Sequence, residues 1–465
     1  MKLLLINAID AAKWIETVYA PLGLAYLSSA LKTRFKDIQI RIIDRDIETA
    51  VKSFRPDAVG VSVVSQNYGR AIEIGRLCKT LQIPVFVGGV HITLLPESLS
   101  KAFDFGVYGE GENTIIDVID YLSKGGVSGS PAMENIKGII LHAGDGIKLT
   151  EARSTIEDLA SIPFPDRDLL DIPTGQNTYM FTSRGCPYKC SFCASTRFWD
   201  KVRWFPAEYV VAEIEEIINK YRPSAISFYD DLFTANIKRF ERIVALICAK
   251  GMHKKVKFGF SCRANLVDDR LIDLLQPLKI SMVCMGLESG CQRTLKYLKG
   301  DGITVEQNRR AVELFSKANI NVQGTFVIGS PDESEEEIFQ TLNFIKTSKL
   351  NLFEVYMLSP FPGTPVWETA KTMGLVSNSM DWEKLAIESR NYDEKILLSA
   401  LPRKRLAELS HLFEREKKKR KAVYYLLYIF KTGLKDPLWV LGKIYFAVRH
   451  QTGKLLLRRD FSDHD

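Results

Sequence analysis

Through residues 1–125 the chain alternates two hydrophobic rhythms. Short apolar runs of strand length fall at residues 3–7, 38–44, 58–62, 85–87 and 105–108. Between them, residues 21–33, 46–53, 69–81 and 112–123 carry apolar positions at helical spacing. Strands alternating with helices predict an α/β fold, a doubly wound parallel sheet covered on both faces. Ligands of such sheets bind beyond the carboxyl ends of the strands. Residues 126–178 lose both rhythms and are rich in Gly, Ser, Pro and Asp, with an extended Ser161-Ile-Pro-Phe-Pro-Asp166 run. This stretch is expected to be the domain connection. A second alternation fills residues 179–385, with strands expected at 179–182, 225–229, 256–261, 281–286, 321–328 and 352–358 and helices in the gaps. Six such units predict a partial (β/α)6 barrel of the TIM type. Residues 386–465 carry no strand signal and are expected to be helical.

At 465 residues the chain is too long for one core, which agrees with this division. Charge changes the picture only at the end. Residues 401–465 hold 16 Lys/Arg against 7 Asp/Glu, more than the whole chain's net +7, so the body is slightly acidic. Of eight cysteines only three are clustered, and the others fall singly among apolar neighbours. That is the usage of a reducing compartment and not of a secreted disulfide framework. The opening MKLLLINAID reads as a first strand and lacks a signal peptide's length and cleavage site. A cytoplasmic location is expected.

The clustered cysteines carry the strongest signal. Residues 184–194 read Arg-Gly-Cys-Pro-Tyr-Lys-Cys-Ser-Phe-Cys-Ala, so Cys186, Cys190 and Cys193 are spaced Cys-x3-Cys-x2-Cys directly after a strand. Thiolates so spaced can converge on one small inorganic centre. A structural zinc or an electron-transfer cluster takes four ligands, whereas three leave one metal position open to a reacting group. A zinc knuckle would need a distant fourth ligand, and the next histidine downstream, His253, lies 60 residues beyond Cys193.

With Phe192 just before the last cysteine, the triplet resembles the signature of the radical S-adenosylmethionine (SAM) superfamily. The resemblance implies a [4Fe–4S] cluster on the three cysteines, whose open iron chelates SAM's amino and carboxylate groups. One electron then cleaves SAM to methionine and a 5′-deoxyadenosyl radical. It further implies SAM contacts at successive strand ends. Asp230 and Asp231 would face the amine, Arg263 the carboxylate, Glu288 and Ser289 the ribose, and the backbone of Ile328 and Gly329 the adenine.

In the front domain, Ser62 ends one strand and Gly88-Gly89-Val-His91 follows another. Paired glycines at a strand end let a bulky ligand approach the backbone. The segment and its place ahead of the triplet are similar to the cobalamin-binding domain of B12-dependent radical SAM enzymes. That resemblance implies Ser62, Gly88, Gly89 and His91 around the nucleotide tail of cobalamin. The Asp-x-His-x-x-Gly run that supplies a cobalt ligand in many cobalamin proteins does not occur in the chain, so the cofactor is expected to lack a histidine lower ligand.

The layout therefore reads as domains 1–125 (cobalamin), 126–178 (linker), 179–385 (radical SAM barrel) and 386–465 (basic, helical). The implied activity is C-methylation of an unactivated carbon. The alternatives are a cyclase resembling the anaerobic magnesium-protoporphyrin ester cyclase, and a non-catalytic cobalamin or cluster sensor. A small-molecule substrate and a reductant such as flavodoxin or ferredoxin follow, with no nucleic-acid partner. The basic, aromatic-rich tail fits a helix lying peripherally on the inner membrane face, which would suit a lipid-like substrate.

Overall fold

The computed structural model describes residues 1–11, 14–172, 175–387 and 394–433. The five apolar runs of the front half form parallel strands β1 (Lys2–Asn7), β2 (Gln39–Ile43), β3 (Ala58–Ser62), β4 (Val85–Gly88) and β5 (Phe105–Val107). Their order in the sheet is 2-1-3-4-5. The direction of winding therefore reverses between β1 and β3, and the crevice at such a switch point is where doubly wound sheets take their ligands. Register aligns Asn7 with Ser62 and Ser62 with Gly88, so three strand ends are presented side by side. The framework holding them is apolar. Leu3, Leu5, Phe86 and Phe105 join one core, and the Phe86 and Phe105 rings stack at 5.2 Å. Each such buried side chain contributes roughly 1.5–3 kcal/mol, so the sheet does not depend on its polar strand ends for stability.

Two further strands, β6 (Ile139–Ala143) and β7 (Gly146–Leu149), extend this sheet antiparallel to β5 and to each other. This corrects the expected boundary at residue 125. Ile139, Ile140 and Leu141 are all buried, so the strand lacks the polar alternation that would mark it. A tight turn at Gly144, φ +56, closes the hairpin.

The second alternation begins with β8 (Thr178–Met180). Next come a two-stranded stem, β9 (Ser183–Arg184) with β10 (Arg203–Trp204), and then β11 (Ala225–Phe228), β12 (Lys257–Cys262), β13 (Ile280–Glu288), β14 (Val322–Ile328) and β15 (Leu352–Met357). Strands β8 and β11–β15 form one sheet in chain order, every pair parallel, as expected of a partial (β/α)6 barrel. The connecting helices start where side chains cap them. Asn236, Asp268, Thr304 and Ser334 each accept a backbone N–H of the first turn, and Thr304/Gln307 and Ser334/Glu337 form reciprocal capping boxes. At about 1 kcal/mol per cap, these residues help to set where these four helices begin.

Contacts divide the chain into two compact units: residues 1–172, 184–206 and 359–396, and residues 173–183, 207–358 and 397–465. The cysteine loop thus groups with the front sheet and not with the barrel strands around it in sequence. The helix Arg403–Gly433 agrees with the expected helical tail over that span, but residues 394–402, also expected to be helical, carry no helix. The rest of the tail, 434–465, lies outside the described residues. Part of the basic run turns inward. Arg420 donates to the carbonyls of Ile345, Ser348 and Leu350, capping the C-terminus of helix Glu335–Thr347, and Lys417 pairs with Glu354 on β15. Lys418, Lys419 and Lys421 remain exposed.

Candidate active site

Cys186, Cys190 and Cys193 lie on the loop between β9 and β10, each partly exposed and none in a disulfide. The loop leaves β9 through Gly185. Its φ of +89 and the Lys201 carbonyl, 2.9 Å from where a Cβ would stand, exclude other residues. The Cys193 amide donates to the Cys190 carbonyl at 3.3 Å, a tight turn between the last two thiols. Phe192 is half-buried between them in sequence. Among the described residues no three metal-binding side chains already converge as a cage. The fit to a cluster therefore rests on the donor set: three thiols on one short loop, none consumed by a disulfide.

The barrel strand ends sort the expected SAM residues. Asp230, expected to face the amine, is instead turned onto the backbone. It is buried, and its carboxylate accepts from the Thr182 amide (2.5 Å), the Ser183 amide (3.2 Å), the Ser183 hydroxyl (2.8 Å) and the Thr182 hydroxyl. Burial pushes its carboxyl upward despite these bonds. Asp230 fixes the end of β8; the neighbouring Asp231 is exposed and stays a candidate for the amine. Ser289 is likewise structural. It is fully buried, pairs with the Thr341 hydroxyl at 3.0 Å and accepts the Cys291 amide.

Arg263 and Glu288 come together through a residue that the sequence pattern does not flag, Lys299. Arg263 is buried, with Nε on Asn265 at 3.0 Å and Nη2 on the Lys299 carbonyl at 3.4 Å. Lys299 Nζ reaches the Gly286 carbonyl and the Glu288 carboxylate, the latter at 3.3 Å. Glu288 has φ +61, a left-handed conformation costing on the order of 1 kcal/mol in a non-glycine residue. Such a strained carboxylate at a strand end, held by a buried lysine, has the marks of a binding residue. After β14, the Ile328 carbonyl accepts the Leu358 amide, and Glu333 Oε2 accepts the amides of Gly329 (2.6 Å) and Ser330 (3.2 Å). Burial pushes Glu333 up to about 7. Glu333, also unflagged by the pattern, holds the backbone edge where adenine contact is expected.

In the front unit, Ser62, Gly88 and Gly89 meet at the carboxyl edge. Gly89 must be glycine: its φ is +106 and a Cβ would stand 2.8 Å from the Val63 carbonyl. Gly88 has no such internal reason. A Cβ there would meet only Val107, at an ordinary 3.5 Å. Bare backbone that the protein itself does not require fits the approach of a bulky group such as the cobalamin tail. His91 does not join them. It is fully buried against Tyr68 and Trp382, with Nδ1 on the Ser65 hydroxyl (3.1 Å) and Nε2 on the Ser98 hydroxyl (3.0 Å). Burial pushes its pKa down to about 3. Both ring nitrogens are used, so the expectation of a tail contact is corrected to a packing role.

Comparison with known proteins adds the following. A family model described as the radical SAM superfamily matches residues 180–345, and one described as the B12 binding domain matches residues 12–119. An uncharacterized methyltransferase of Pyrococcus horikoshii, PH0819, is 31% identical over 392 residues, 80% of this chain and 82% of the relative. The anaerobic magnesium-protoporphyrin IX monomethyl ester cyclase of Cereibacter sphaeroides is 26% identical over 371 residues. That match takes in 75% of this chain but 60% of the cyclase, so the chain spans about three-fifths of its length. Among solved structures, the radical SAM methyltransferase TsrM of Kitasatospora setae aligns with a TM-score of 0.66 at 19% identity, covering 80% of this chain and 76% of TsrM. At that identity the likeness is one of fold.

Proposed function

The chain belongs to the radical SAM superfamily, in the group that carries a B12-binding domain, and from that premise we propose that it is a cobalamin-dependent radical C-methyltransferase. One observation carries the proposal. The cysteine triplet sits in the same compact unit as the sheet whose strand ends hold the unobstructed Gly88 backbone. When bound, the cluster supplies the electron that cleaves SAM to methionine and a 5′-deoxyadenosyl radical, and cobalamin supplies the methyl group that the resulting substrate radical takes.

The residues divide this work. Cys186, Cys190 and Cys193 would hold the cluster and leave one of its irons open to SAM. Arg263 offers a buried cation to the SAM carboxylate. Asp231 faces the amine and Glu288, oriented by Lys299, the ribose. Glu333, by accepting the Gly329 and Ser330 amides, fixes the turn after β14 where adenine would lie. Ser62, Gly88 and Gly89 seat the cobalamin tail. The protein's contribution is to fix these groups relative to the substrate and to keep competing quenchers out. A one-electron donor such as flavodoxin or ferredoxin completes the scheme.

Product counting tests it. The anaerobically reconstituted chain, given SAM, cobalamin, substrate and a low-potential reductant, should form S-adenosylhomocysteine and 5′-deoxyadenosine in equal amounts per methylated product. Deoxyadenosine without S-adenosylhomocysteine would favour a ring-forming reaction, as in the cyclase relative. Neither product above a Cys186→Ala control would leave only a sensor.

The tail carries a separate proposal of peripheral membrane contact. No helix among the described residues is long and apolar enough to cross a membrane. On helix Arg403–Gly433, however, Val423, Leu426, Leu427 and Phe430 follow i, i+3, i+4, i+7 spacing and are 56–66% exposed. Exposed Lys418, Lys419 and Lys421 precede them. This pairing suits an anionic lipid surface and a lipid-like substrate. The chain should co-sediment with phosphatidylglycerol vesicles at low salt and release at high salt. Leu426→Asp with Phe430→Asp should abolish binding. Equal binding to neutral vesicles, or none to anionic ones, would contradict the proposal.

A further inference from the structure

The ends of the cysteine loop are held by a buried charge cluster that the assignments above leave unused. Arg184 stands two residues before Cys186, and Arg203 ten residues after Cys193. Together they form the two strands of the β9–β10 stem. One carboxylate bridges them. Glu110 Oε1 accepts Arg184 Nη1 at 2.5 Å, and Glu110 Oε2 accepts Arg203 Nη1 at 2.7 Å. Glu112 takes the other Arg184 nitrogen, Nη2. The four side chains are only 5–10% exposed. Trp199, inside the loop, lies under both guanidinium groups, with ring centres 5.4 Å from Arg184 and 5.5 Å from Arg203. Glu110 also accepts the Ile156 amide at 2.7 Å, and Arg203 donates to the Ile156 carbonyl at 2.6 Å.

Both carboxylates come from Gly109-Glu-Gly-Glu112, the turn after β5 that opens helix Gly111–Ser123 of the front sheet. Buried ion pairs contribute little net stability, because desolvation offsets the attraction; their best-attested use is to select one arrangement over others. Here two guanidinium forks converge on one carboxylate, which fixes the separation and orientation of the loop's two ends. The loop between them is otherwise short of regular structure, with one four-residue helical turn, Ser195–Phe198.

We propose that Glu110 is a positioning residue for the iron–sulfur loop: by bridging Arg184 and Arg203 it holds both ends of the segment bearing Cys186, Cys190 and Cys193 on the sheet that binds cobalamin. The front domain thereby sets the geometry of the cluster as well as seating its own cofactor. This inference rests on the assignment of the triplet as the cluster site.

The test uses the full chain, reconstituted anaerobically, with Glu110→Gln, which keeps the shape and removes the charge. Iron per chain, the rate of cluster loss to an iron(II) chelator, and the electron paramagnetic resonance (EPR) spectrum of the reduced cluster with and without SAM are the readouts. Far-UV circular dichroism and cobalamin content are the controls. Glu110→Gln should lose its cluster about tenfold faster, the loss typical of removing an outer-shell partner, and give a broadened or absent SAM-induced spectral change. Its fold and cobalamin content should match wild type. Wild-type chelation rate and spectra in Glu110→Gln would overturn the inference. Should that variant not fold, Arg203→Lys keeps the charge but not the fork and should show the same acceleration; wild-type behaviour there overturns it equally. A wild-type chain that takes up no iron would instead overturn the assignment of the triplet, and the inference with it.

Discussion

Alanine at any one of Cys186, Cys190 or Cys193 should lower 5′-deoxyadenosine formation by more than ~100-fold, because losing a direct ligand exceeds the ~10–100-fold cost of losing an outer-shell partner. Iron per chain should fall with it, while the far-UV spectrum is retained. The three thiols are partly exposed on a loop, and none contributes to a core. The other cysteines supply the contrast. Cys78 is buried on the helix Tyr68–Thr80 of the front unit, and burial pushes its thiol up to about 11. Cys262 is buried beside the Thr234 hydroxyl at 3.4 Å, also pushed up to about 11. Cys291 sits against Glu337 at 3.2 Å. Thiols held protonated by burial, as those of Cys78 and Cys262 are, are inert. Cys78→Ala and Cys262→Ala should therefore cost stability on the order of 1–2 kcal/mol, by loss of buried volume, and leave iron content unchanged. Iron and activity measured across both sets separate ligands from packing residues.

Gly88→Val should abolish cobalamin binding while leaving the cluster and the fold intact. A Cβ at this position meets nothing closer than the Val107 carbonyl, at an ordinary 3.5 Å. A ligand lying on that backbone would clash with it. Forcing apart a close contact costs on the order of 3 kcal/mol, roughly a 100-fold loss of affinity. The variant should retain deoxyadenosine formation and lose S-adenosylhomocysteine, since only the latter depends on cobalamin. Gly89→Ala is a poorer probe, because φ +106 and the Val63 carbonyl at 2.8 Å would strain the loop itself. Equilibrium binding of hydroxocobalamin to wild type and Gly88→Val decides the matter. Unchanged affinity would move the cofactor elsewhere or remove it.

How far the sequence could be read depended on how local each feature was. The strand over 58–62 and the helix expected over 69–81, observed at Tyr68–Thr80, lie where the hydrophobic spacing puts them, because their periodicity is complete within a few turns. The cysteine triplet is legible for the same reason. The β6–β7 hairpin was hidden because its buried first strand lacks alternation and a glycine-rich stretch surrounds it. Adjacent carboxylates mislead in another way. Asp230 and Asp231 are equivalent as letters, but the backbone turns one back onto Thr182 and Ser183 and leaves the other exposed. In sequence His91 reads as part of a binding loop, but Trp382, nearly 300 residues later in the chain, packs on its ring. The Glu110 bridge joins residues 74 and 93 positions apart. No spacing rule in a single sequence reports such pairs.

The proposed cluster has three protein ligands and one iron open to SAM. EPR of the dithionite-reduced, anaerobically reconstituted protein, recorded before and after adding SAM, tests it most directly. A [4Fe–4S]+ signal whose g-values shift when SAM binds is expected, with no such cluster signal in Cys190→Ala. A signal that SAM leaves unmoved, or the absence of any cluster in the wild-type chain, would contradict it.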